Sequence, residues 1–146
     1  MKFFFDRNSC ARTARMLAIY EGHAGHLVRH HNDDQRFSKE STDIEIIQTL
    51  YAEDLEWVFV GGDGKILRNK VELTALAECN LTYLLFQNTW CDKKFEDTCW
   101  MLIKGWPRIV SEIERLKAHS IVELTYGSAG NVKIKGATVS FRASAR

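Results

Sequence analysis

Two short stretches, Phe3-Phe4-Phe5 and Trp57-Val58-Phe59-Val60, contain no polar residue at all, and Leu81–Phe86 comes close. Successive residues of a strand point to opposite faces, so a strand that is apolar throughout must be covered on both sides. That requirement excludes a sheet with one face in water and calls for helices above and below. The intervening patterns supply them. Apolar residues recur at helical spacing in Thr13–Tyr20, which runs out at Glu21-Gly22 with Ser9 as a candidate cap. They recur again in Ile44, Ile47 and Leu50-Tyr51 after Ser41 or Thr42, in Val71–Cys79, and in a long segment from Asp92 to Lys117. His26–His30 and Ile121–Leu124 read as further strands. This alternation predicts an α/β three-layer domain with a mostly parallel central sheet. Gly105-Trp106-Pro107 predicts a break or kink in the last helix, because proline removes a helical hydrogen bond and crowds the preceding turn.

A length of 146 residues suits one domain, and 45% hydrophobic residues with a single proline argue for a packed core. A formal charge of +1 gives no basic footprint over the whole chain, so any such footprint must be local. The opening apolar run stops at Asp6-Arg7-Asn8, shorter than the roughly 7–15 residues of a secretory core. No run approaches the roughly 18 residues of a membrane span. A soluble, cytoplasmic protein with no membrane partner is the expectation. Cys10, Cys79, Cys91 and Cys99 form no Cys-x-x-Cys pair and are expected to be reduced, mostly buried thiols. Residues 1–126 read as the domain and 127–146 as a basic tail or edge hairpin. That tail carries Lys133, Lys135, Arg142 and Arg146 with no acid, and Asn131–Lys135 and Thr138–Phe141 alternate.

In a parallel sheet, ligands sit beyond the carboxyl ends of the strands. Asp6 ends the first strand, Asp63 ends the third, and Asp43 opens the second helix, with Glu45 and Glu40 as its rivals. Three acids meeting there would repel one another unless they shared a cation. An all-oxygen ligand set suits Mg²⁺ or Mn²⁺ rather than zinc. The ordinary alternatives are a turn-forming Asp after a strand and a favourable charge at a helix N-terminus. Arg7, Arg12 and Arg15, with Lys65 and Arg68, are candidates for phosphate contact or for plain solvated charge. His23, His26, His30 and His31 straddle a loop and a strand, which favours a surface or pH-sensitive patch over a zinc site. Trp90, Phe95, Trp100 and Trp106 read as core and helix-packing residues.

Taken in order, "FFFDRN", "TDIEII" and "VFVGGDGKILRN" resemble the signature of PIN-like domains of the PIN nuclease superfamily, in the compact group that includes VapC-like toxins. "WMLIKGWPRIV" followed by "IVEL" resembles the last helix and strand of one such toxin subgroup, so the resemblance runs from Met1 to about Leu124. It implies a Mg²⁺- or Mn²⁺-dependent endoribonuclease, commonly the toxin of a toxin–antitoxin pair, with RNA as substrate and an antitoxin protein as partner. Asp6, Asp43 and Asp63 would then be the catalytic metal ligands, supported by Asn8, Glu45 and Asn88, with Arg7, Arg12, Lys65 and Arg68 on the RNA phosphates. Two departures stand out. Gly61-Gly62 replaces the hydroxyl residue often found before the third-strand acid, and Gln87-Asn88-Thr89 follows the fourth strand where a fourth acid sometimes stands. These departures keep a rival in view, a catalytically weak or inactive PIN-like module that binds protein or RNA. A phosphatase or phospho-accepting receiver also places Asp after parallel strands, but Asp6 lacks the adjacent acid of a receiver. A homodimer is an open expectation.

Overall fold

A computed structural model describes residues 1–22, 24–53, 57–62, 64–116, 119–127 and 131–138; for residues 65, 66, 137 and 138 it describes the backbone only. The chain runs β1 (Lys2–Phe5), α1 (Ala11–Gly22), β2 (Leu27–His30), α2 (Asp43–Glu53), β3 (Trp57–Gly61), α3 (Lys70–Glu78), β4 (Thr82–Phe86), α4 (Phe95–Arg115), β5 (Ser120–Tyr126) and β6 (Val132–Thr138). One six-stranded sheet forms in the order β2-β1-β3-β4-β5-β6. The first five strands pair in parallel, and β6 lies antiparallel on the outer edge of β5.

The all-apolar strands do what their composition requires. Phe3 and Phe5 turn to one face, where Leu17 of α1 and Leu102 and Trp106 of α4 bury them together with Val122 and Val132. Phe4 turns to the other face, against Ile47 and Leu50 of α2, Leu76 of α3, and the rings of Trp57, Phe59 and Tyr83. The result is three layers, with β1 inside the sheet between β2 and β3. Each helix of a parallel crossover carries the chain back, so strands β1 to β4 all end on one edge. The register there aligns Phe5 with His30 on one side and Val60 on the other.

Several expectations change. The last helix does not break: α4 continues for 21 residues with Pro107 inside it. Pro107 is exposed, so its ring meets solvent, while Met101, Leu102, Trp106, Ile109 and Ile113 form an uninterrupted buried stripe. Burying that stripe outweighs a proline cost of about 3 kcal/mol. Ser9 does not cap α1, because its hydroxyl is turned back to Asp6. Cys10 takes the capping place, interacting with the backbone N–H groups of Thr13 and Arg12. The basic segment contributes one described strand, β6, which pairs with β5. The second part of the expected hairpin, from 139 onward, lies outside the described residues. Of the cysteines only Cys79 is buried; Cys10 and Cys91 are exposed. Trp90 and Trp106 are core residues as expected, whereas Trp100 is 56% exposed on the outer face of α4.

Candidate active site at the sheet edge

Asp6 follows Phe5 directly, and strand alternation sends its side chain to the same face as Phe4, the side covered by α2 and α3. Its backbone N–H continues the ladder to the Val60 carbonyl at 2.9 Å, so the residue is held as an extension of β1. The side chain is 8% exposed. Its Oδ1 accepts two bonds from Ser9, one from the hydroxyl at 2.6 Å and one from the backbone N–H at 2.9 Å. Oδ2 faces Gly61 instead. A Cβ at Gly61 would stand 2.9 Å from Asp6 Oδ2 and 2.6 Å from the Tyr83 hydroxyl. Only a residue without a side chain lets these two oxygens approach the end of β3, which gives the glycine at this position a physical reason. Burial pushes the Asp6 carboxyl above its ordinary range, with the Ser9 bonds and the nearby His30 opposing the shift.

His30 supports this arrangement from β2. Its Nδ1 accepts the Asn32 backbone N–H at 3.0 Å, so its Nε2 carries the proton and donates to the Ser9 carbonyl at 2.8 Å. A chain of contacts therefore runs from β2 through Ser9 to Asp6. His30 and His31 are only 1% and 4% exposed, which corrects the surface-patch reading for both. His23 lies outside the described residues. None of Ser9, His30 and Tyr83 was singled out for the site in the sequence. Asp6 and Ser9 stand three residues apart, the spacing of a local turn, whereas long-range pairing supplies the other two.

Asp43 is the first residue of α2, and Thr42 caps that helix. The Thr42 hydroxyl accepts the Glu45 N–H at 3.2 Å, and the Glu45 carboxylate accepts the Thr42 N–H at 3.1 Å. This reciprocal cap commits Glu45 to the helix end, and Asp43 is the other acid of the first turn. Glu40, the other rival, is exposed and accepts from the Ser38 hydroxyl. Asp6 and Asp43 thus share the carboxyl edge and the α2–α3 face. Asp63 lies outside the described residues, and of Lys65 only the backbone is described. Arg7 is exposed and donates to the Lys39 carbonyl. Arg12 stacks over the Phe95 ring, 4.0 Å from its centre, and Arg68 is exposed beyond β3. Asn8 and Asn88 are exposed on the loops after β1 and β4.

Among the described residues no three His, Cys, Asp or Glu side chains come close enough to hold a metal ion. The donors that are described still suit a hard divalent cation. Asp6 offers a buried carboxylate oxygen whose charge is penalised by desolvation, the condition that a cation relieves.

Fold and site together define a class first: a three-layer α/β domain with a buried acid at the carboxyl end of its first strand. The family profile described as the PIN-like domain matches residues 1–88, and the chain belongs to that family. PIN-like domains are of the nuclease type, and nucleases of this kind generally use divalent metals. No curated protein and no solved structure matches the chain. No helix among the described residues is long and apolar enough to cross a membrane.

Proposed function

We propose that this chain is a Mg²⁺- or Mn²⁺-dependent endoribonuclease acting as the toxin of a toxin–antitoxin pair, with Asp6, Asp43 and Asp63 as its metal ligands. The observation that carries the reading is the construction around Asp6. Its carboxylate is buried, one oxygen is fixed by two Ser9 bonds, and the other faces the end of β3 at Gly61, beside the Tyr83 hydroxyl. Holding an acid ionised in such a place costs stability, and a cation returns that cost.

A divalent ion bound there would supply Lewis acidity toward a phosphodiester and the water that attacks it. The residues of the chain do the rest. Ser9 fixes the carboxylate rotamer, and His30 fixes the Ser9 backbone through its carbonyl. Gly61 leaves room for the Asp6 and Tyr83 oxygens at the end of β3, and Asp43 brings a second acid on the first turn of α2. Arg7 and Arg12 lie beside this edge with charge suited to the phosphates flanking the cut.

The test is RNA cleavage by the purified protein in Mn²⁺, compared with Asp6→Asn and Asp43→Asn. Each variant is expected to lose at least about a hundredfold in rate, as befits removal of a metal ligand. Mn²⁺-dependent cleavage that persists undiminished in Asp6→Asn would overturn the assignment. If the unaltered protein neither binds Mn²⁺ nor cuts any of a varied set of RNAs, the binding-module alternative replaces it.

A further inference from the structure

A second feature opens on the same sheet edge but on the opposite face. Between the ends of β1 and β4 and the beginnings of α1 and α4 lies a cavity of about 400 Å³. That is within the roughly 300–1,000 Å³ of pockets that hold small ligands. Phe5, Phe86 and Trp90 give it aromatic walls, and Asn8 and Gln87, which carry amide side chains, are among its lining residues. Trp90 is held rigidly, with its indole N–H donating to the Leu124 carbonyl at 3.0 Å and Phe86 against it edge-on at 5.1 Å.

Aromatic faces combined with amides that both donate and accept are the means by which proteins hold an unstacked base. The charge agrees: Lys93 lines the cavity, Arg12 stacks on the lining residue Phe95, and no Asp or Glu lines it among the described residues. The position agrees as well. Phe5 lines the cavity while the next residue, Asp6, faces the other side of the sheet. Gly62 lines it while the preceding residue, Gly61, touches Asp6. A strand of nucleic acid crossing this edge would put a phosphate at the acids and an adjoining base in the cavity.

We infer that this cavity is a nucleobase subsite for single-stranded RNA, holding a base next to the scissile phosphate. The position assigned to the base rests on the nuclease reading; the base-binding chemistry does not. The experiment measures binding of single-stranded RNA hexamers in EDTA, where a metal-dependent nuclease does not cut. Each hexamer carries one abasic nucleotide, placed at successive positions. Loss of the base at one position is expected to weaken binding about tenfold, and at the others little. Thr98→Trp, which fills the cavity from α4, should weaken intact RNA by a similar factor and erase the difference between intact and abasic strands. Cys91→Trp, on an exposed turn of the cavity wall, provides a second occluding variant should the first fold poorly. Equal binding of all abasic strands would overturn the subsite, as would a folded Thr98→Trp that keeps the positional difference. Binding of RNA by backbone charge alone, with the cavity serving a protein partner, would give that equal binding. Failure of the unaltered protein to cut RNA in Mn²⁺, alongside an intact positional effect, would sink the nuclease reading and leave the subsite standing.

Discussion

Asp6 combines two demands that pull against each other. A carboxylate at a buried strand end serves a cation, yet without one it opposes folding. Its carboxyl lies above the ordinary value of 3.8 because of burial, so the folded state favours the protonated acid. That contribution is present below the unfolded value and is lost as pH rises through the raised folded one. At neutral pH the metal-free protein therefore carries a net cost at this residue. Asp6→Asn keeps an oxygen for both Ser9 bonds and removes the charge, so in EDTA it should raise the melting temperature by a few degrees at pH 7. Thermal unfolding followed by circular dichroism checks this, and a lower melting temperature would show that the ionised form stabilises the fold. The acid itself was legible in the sequence because it ends an apolar run. Its partners were not, because Tyr83 and His30 reach it from strands 77 and 24 residues away in the chain, and no local pattern encodes that pairing.

At the scale of elements, the strands were legible where both faces are apolar, and the helices where one face is. Pro107 escaped this logic: periodicity registers a residue type but not whether the position faces water, and an exposed proline costs a helix less than its buried stripe returns. The loop after β2 was equally opaque, because its order comes from ion pairs. Asp34 accepts from Arg36 at 2.7 Å and from Arg29 of β2 at 3.3 Å, and Arg36 also reaches Glu53 at the end of α2. Bonds from Arg36 hold the Asp34 carboxyl at about 2, against the opposing effect of burial. A depressed acid stabilises the fold above its unfolded value near 3.8 and loses that contribution as pH falls toward 2. The contribution is worth about 2 kcal/mol, and the Asp34 side chain is buried enough that solvent screens it little. Asp34→Asn should therefore lose about that much in urea unfolding at pH 7 and much less near pH 2. An equal loss at both values would mean that packing, rather than charge, ties edge strand β2 to α2.

The whole molecule extends well past the part matched to its family. Residues 1–88 contain β1 to β4, yet the face that buries Phe3 and Phe5 is completed by α4, β5 and β6. The contact between α4 and β6 is close on both sides. A Cβ on Gly105 of α4 would meet Val132 Cγ2 at 3.1 Å, and one on Gly136 of β6 would meet Leu116 Cδ1 at 2.4 Å. Val132 itself is 2% exposed, and β6 pairs with β5 over its full seven residues. Composition suggested an appended basic segment, since alternating lysines mark an edge strand and a loose tail alike. Pairing and the two glycines mark β6 as part of the sheet. Truncation after residue 127 should consequently uncover Val132's place on α4 and leave the long edge of β5 unpaired. Burial of one valine is worth roughly 1.5–3 kcal/mol, and the lost ladder adds to it. The shortened chain is expected to unfold at lower urea by at least about 2 kcal/mol and to self-associate in size-exclusion chromatography. A truncated protein that stays monomeric with an unchanged midpoint would mean that the sheet ends at β5 and that 127–146 is an appendage after all.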